Sequence, residues 1–194
     1  MDKNLPVYDL LIEESPESTF EVNFVSFVDK PAIQRDFLAF NEPLPLKFGS
    51  DDERIVVGPA MVPDMLIYRN DPEMGEFYVK FSKQTISDIA LKFFEKGYHQ
   101  NVNLMHNSDV TFDGVTFFQS FIKDTAKGIA GMEGDYPEGT WFLAAKVNNE
   151  DAWSLIKAGK VKGFSVEGMF KYKAKKLTAA EIFEQVERLL QNIS

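Results

Sequence analysis

Apolar and polar residues alternate with a period of two along most of this chain. That spacing predicts strands at VYDLLI (7–12), EVNFVSFV (21–28), RIVVG (54–58), MLIYR (65–69), EFYVKF (76–81), VTFFQSFI (115–122), TWFLAAKV (140–147) and GFSVEGMFKY (163–172). Pro and Gly punctuate the gaps, and NEPLPLKFGSDD (41–52) and KGIAGMEGDYPEG (127–139) read as surface loops or flaps. The pattern changes to a helical period in three places. TISDIALKFFEKG (85–97) sets Ile86, Ile89, Ala90 and Phe93 on one face, with Thr85 as the expected N-cap and Gly97 as the stop. NNEDAWSLIKAG (148–159) has an Asn cap, acids in its first turn, Trp153 and Ile156 facing inward and Gly159 as terminator. A last helix opens on the capping box Thr178 to Glu181 and carries Ile182, Val186, Leu189 and Leu190. The expected organisation is one strand-rich α+β domain over residues 1–174. A C-terminal helix, 175–194, packs on that body or on a partner.

Composition narrows the classes of function. The 194 residues are enough to bury a sizeable core, and no apolar run approaches the ~20 residues that cross a bilayer, so a soluble protein is expected. The N-terminal MDKNLPVYDLLIEE lacks the marks of a secretory signal. Cysteine is absent, which removes disulfides, thiolate metal sites and a cysteine nucleophile and agrees with a reducing cytoplasm. A net charge of −9 opposes a nucleic-acid backbone, and the short basic run KYKAKK (171–176) reads as a solvated strand end. No metal or cofactor is expected, because the two histidines are not at ligand spacing and the carboxylates form no recognisable set.

Two histidines, His99 and His106, are the only imidazoles available to any base catalysis. A serine hydroxyl needs such a neighbour to become a nucleophile. Ser165 stands in Lys-Gly-Phe-Ser-Val-Glu-Gly, where period two puts Ser165 and Glu167 on one face and Phe164 and Val166 on the other. Gly163 and Gly168 leave room for another chain or a substrate backbone to come close beside the serine. His106 ends NVNLMH (101–106) and, if that segment is one continuous strand, shares a side with Val102 and Leu104. His99, just past a helix end, is expected to cap that terminus or lie in solvent.

In their order and spacing, VSFVDKPAI (25–33), VVGPAMVPDMLIYRND (56–71), EFYVKFSKQTI (76–86), NVNLMH (101–106), GTWFLAAKV (139–147), W-x-x-I-K-x-G (153–159) and GFSVEG (163–168) resemble the XkdF-type prohead proteases of tailed phages. The resemblance runs from Tyr8 to Phe170. It implies the fold of the wider prohead proteases and herpesvirus assemblins, a small closed, mainly antiparallel β-barrel with surrounding helices. It also implies a serine endopeptidase with Ser165 as nucleophile and His106 as general base. In the commoner prohead proteases the third member is an acid ahead of an SLV-x-x-PA segment that follows the nucleophile. Here the similar VSFVDKPA lies near the N-terminus, and the position matching the acid is Phe24. Glu167 and Asp29 are the candidate substitutes, and a Ser–His dyad is the remaining option.

That displacement implies a circular permutation, in which strand 21–28 pairs in the Ser165 barrel or packs beside the site and Asp29 to Pro31 turn the chain away. Oxyanion donors are expected near Gly163 or in the Gly128 to Gly139 loop. The implied partners are phage scaffold and major capsid proteins and other copies of the chain, inside proheads in the host bacterial cytoplasm. The alternative is a protease-fold capsid, scaffold or decoration protein that does not cleave.

Overall fold

The computed structural model describes residues 5–13, 18–29, 47–48, 53–132 and 134–174. In chain order the strands are β1 (Val7–Leu11), β2 (Val22–Val28), β3 (Lys47–Phe48), β4 (Ile55–Met61), β5 (Ile67–Asp71), β6 (Gly75–Lys80), β7 (Val102–Leu104), β8 (Asn107–Thr111), β9 (Val115–Ile122), β10 (Trp141–Val147), β11 (Gly163–Gly168) and β12 (Lys171–Ala174). The helices are α1 (Lys83–Glu95) and α2 (Glu150–Lys157). The expected last helix, the turn at Pro31 and most of loop 41–52 lie outside the described residues.

Helix α1 begins two residues earlier than the sequence suggests. Ser82, not Thr85, is the N-cap: its hydroxyl accepts the Thr85 N–H at 3.1 Å, which supplies one of the orphan donors of the first turn with a partner. Its apolar face is the expected one, with Ile86, Ile89, Ala90 and Phe93 all buried. Helix α2 is capped by Asn149, whose Oδ1 accepts the Ala152 N–H at 2.9 Å. Gly159 beyond it adopts the left-handed conformation that ends the helix, with φ of +66°.

The described strands form three four-stranded sheets, ordered β12-β1-β6-β5, β3-β4-β10-β9 and β11-β2-β7-β8. The architecture is α+β, but none of these sheets closes into the expected barrel. The place where closure would occur is visible. Strand β11 lies along β4, yet both edges of β4 are taken at Val56 and Val57, by β3 and by β10. Farther along β4, Pro59 has no N–H to offer a ladder.

The predicted single strand 163–172 is also divided, into β11 and β12 in different sheets. Its pairing with β2 shifts register between Glu167 and Gly168. The Met169 N–H donates to Glu21 O at 3.1 Å, and Phe170 packs edge-on against Phe81 at 5.0 Å, so the chain leaves the first sheet and joins β1 of another.

Aromatic residues bind the sheets together. Phe27 of β2 stacks obliquely on Phe164 of β11 at 5.8 Å, and Phe164 meets Phe117 of β9 edge-on at 5.5 Å. Phe93 of α1 closes the same cluster against Trp141, at 5.8 Å. All five side chains are buried, and each such burial stabilises the fold by roughly 1.5–3 kcal/mol. With Phe27 and Phe164 committed to the core, period two turns Ser26 and Ser165 to the opposite face of the β11-β2-β7-β8 sheet.

Candidate functional site

Pairing of β2 between β11 and β7 builds a polar row across three strands. Ser165 on β11 lies opposite Ser26 on β2, and Ser26 lies opposite Asn103 on β7. Residues paired in this way project from the same face, about 5 Å apart. Two positions farther along β11, Glu167 stands on that face opposite Phe24. The displaced N-terminal segment thus pairs directly with the serine strand, as its motif requires.

His106 reaches this row by a route the alternation pattern hides. Strand β7 ends at Leu104, which pairs with Asn107, leaving Met105 and His106 as a two-residue hairpin loop. Both have positive φ, +52° and +58°, the signature of a type I′ turn. His106 therefore does not continue the Val102 side of a strand; the turn carries its ring over the serine face. Asn and Gly usually fill such turns, and holding two larger residues there costs on the order of 1–2 kcal/mol each. The surroundings hold the turn: the Met105 N–H donates to Phe27 O at 3.0 Å, and the Asp29 N–H approaches Met105 Sδ at 3.2 Å.

The ring that results is contacted at both nitrogens. His106 Nε2 is 3.0 Å from Ser165 Oγ. His106 Nδ1 is 3.0 Å from Ser26 Oγ and 3.3 Å from Glu167 Oε2. Asn103 Nδ2 donates to Glu167 Oε2 at 2.8 Å, and Ser26 Oγ lies 2.5 Å from Asn103 Oδ1. Ser26 and Asn103 are fully buried, whereas the His106 and Glu167 side chains keep 23% and 34% of their exposure. The site is thus rigid beneath and open above, where a substrate has to enter.

Of the two candidates for a third member, the fold brings Glu167 to the imidazole. Asp29 is directed elsewhere: its carboxylate forms an ion pair with Lys162 at 2.9 Å. His99 neither caps the helix nor joins this row; its ring stacks on Phe94, with centroids 6.3 Å apart and planes 8° from parallel. Gly168 does permit a close approach, but of the chain to itself. A Cβ there would lie 2.1 Å from Glu21 O, so this glycine is what lets β11 press against the start of β2 beside Glu167. Among the described residues, no group of three or more His, Asp or Glu side chains is placed to hold a metal ion. No helix among them is long and apolar enough to cross a membrane.

Sequence reasoning missed Ser26 and Asn103. Their signal was the parity of β2 and β7: Ser26 falls between Val25 and Phe27, and Asn103 between Val102 and Leu104, so each polar side chain must leave the core face. Seeing that they meet requires the strand order, which alternation does not give.

A serine hydroxyl on one ring nitrogen of a histidine, with a carboxylate at the other, is the arrangement that serine hydrolases use on many unrelated folds. Residues 45–173 match the family described as "Putative phage serine protease XkdF", and the chain belongs to that family. The matched span contains Asn103, His106, Ser165 and Glu167, while Ser26 precedes it. No curated protein and no solved structure matches the chain.

Proposed function

We propose that the protein is a serine endopeptidase that cleaves scaffold and capsid proteins inside phage proheads. The observation that carries this reading is the 3.0 Å contact between Ser165 Oγ and His106 Nε2 in a chain of the phage serine protease family. In the proposed reaction the Ser165 proton passes to His106 Nε2 as Oγ attacks a peptide carbonyl, giving a tetrahedral oxyanion. Collapse of that intermediate breaks the C–N bond, and the imidazolium returns the proton to the departing amine. Water, deprotonated by the same nitrogen, then hydrolyses the acyl-serine. Glu167 at 3.3 Å offsets the positive charge on the ring while it exists.

The cleavage test is incubation of the purified protein with scaffold or capsid preparations, beside a Ser165→Ala control. Fragments that appear only with the parental protein support the reading. Identical patterns from the two proteins would instead favour a non-cleaving component of the particle.

A further inference from the structure

His106 carries a serine on each ring nitrogen, and only one of the two can be a nucleophile facing substrate. Ser165 lies on the open side; Ser26 is fully buried, and so is Asn103 beside it. Buried hydroxyls and amides have to satisfy their hydrogen-bonding groups within the protein, and this requirement fixes where each proton sits.

The accounting starts at Glu167. A carboxylate only accepts, so the Asn103 group 2.8 Å from Glu167 Oε2 is the amide NH2. The Asn103 oxygen therefore faces Ser26, 2.5 Å from its Oγ. An amide oxygen has no proton to give, so Ser26 donates its single proton to Asn103. Only lone pairs then remain on Ser26 Oγ for His106 Nδ1, 3.0 Å away, and Nδ1 must carry a hydrogen. A neutral imidazole has one N–H, so Nε2 is bare and turned to the Ser165 hydroxyl.

We infer that Ser26 and Asn103 are positioning residues that hold neutral His106 in the tautomer protonated on Nδ1. In this arrangement Glu167 is not needed to choose the tautomer, because a neutral hydroxyl backed by a buried amide already does so. Glu167 orients Asn103 and balances charge on the ring. The catalytic meaning of the tautomer rests on the proposed roles of Ser165 and His106, but the tautomer itself is a property of the resting protein. A three-strand row from Ser165 through Ser26 to Asn103 thus takes the place that an acid occupies in a conventional triad, at the strand position next to Phe24.

The test is nitrogen-15 NMR of the imidazoles in substrate-free protein, above the pH at which His106 is protonated. With two histidines in the chain, His99→Gln assigns the signals. The parental protein should show a protonated Nδ1 and a bare Nε2 at His106. Glu167→Gln should keep that pattern. Ser26→Ala should convert it to a mixture of tautomers, because the hydroxyl that fixed Nδ1–H is gone, and Ser26→Thr should restore it. A parental His106 protonated on Nε2, or a Ser26→Ala ring that stays wholly Nδ1-protonated, would overturn the inference. No substrate enters this measurement, so a failed cleavage assay would count against the protease reading alone.

Discussion

Ser165 and Ser26 face each other on paired strands, and the His106 ring spans the two, with Nε2 3.0 Å from one hydroxyl and Nδ1 3.0 Å from the other. The two hydroxyls differ in access to solvent and in where their protons point. That difference separates a group free to react from one held in the framework.

Replacing Glu167 by Gln tests the division of labour around the ring. The substitution keeps the shape and the acceptor for Asn103 while removing the charge that balances an imidazolium. A hydrogen bond to a charged group is worth ~1.5–3 kcal/mol, so kcat should fall roughly 10- to 150-fold with little change in KM. Peptide-cleavage kinetics read this directly. An unchanged kcat would mean that the carboxylate takes no part in the reaction.

Gly168→Ala addresses the seam between β11 and β2. The added methyl would meet Glu21 O at 2.1 Å and Val22 Cα at 2.7 Å, both backbone, which cannot swing aside as a side chain does. The variant should lose at least ~3 kcal/mol of stability, at or beyond the upper end of ordinary overpacking, and urea titration should show the midpoint falling. A midpoint equal to that of the parent would show that the seam can open at little cost.

Acid should loosen the same seam through Glu21. Burial acts to raise the pKa of its carboxyl, but the hydrogen bond from Tyr98 at 2.6 Å and the ammonium groups of Lys92 and Lys96 outweigh that and hold it below the usual glutamate value. A group depressed in the fold binds protons more readily once unfolded. Its contribution to stability is therefore complete above the ordinary glutamate pKa of ~4.3 and is lost as pH falls through the folded-state value. Glu21→Gln should be less stable than the parent at pH 7, and the gap should narrow as the parent is acidified. Urea midpoints measured from pH 7 downward provide the comparison, and a gap that is constant with pH would contradict it.

Local chemistry was legible in the sequence where a single element decides it. The buried face of α1 follows from the spacing of Ile86, Ile89 and Phe93, and the outward aim of Ser165 and Glu167 follows from Phe164 facing inward. Features made by two or more elements were hidden. The His106 turn has neither Asn nor Gly to announce it, because contacts from Phe27 and Asp29 keep Met105 and His106 left-handed against their local preference. Ser26 and Asn103 look like ordinary strand residues until β2 is known to run between β11 and β7. The closed barrel was expected from family likeness, and alternation cannot show that the edges of β4 are already occupied. Asp29 was a reasonable acid by its place in VSFVDKPA, but its position in space is set by Lys162.

The central claim is that His106 activates Ser165 as a nucleophile, and covalent labelling tests it without knowledge of the natural substrate. The protein would be treated with a serine-directed phosphonate, and the adduct located by intact and peptide mass spectrometry. The account predicts one adduct on Ser165, absent from Ser165→Ala, formed at least about 10²-fold more slowly in His106→Ala, and formed more slowly in the parental protein as acid protonates the imidazole. Failure of Ser165 to label, or labelling at the same rate when His106 is replaced, would contradict it.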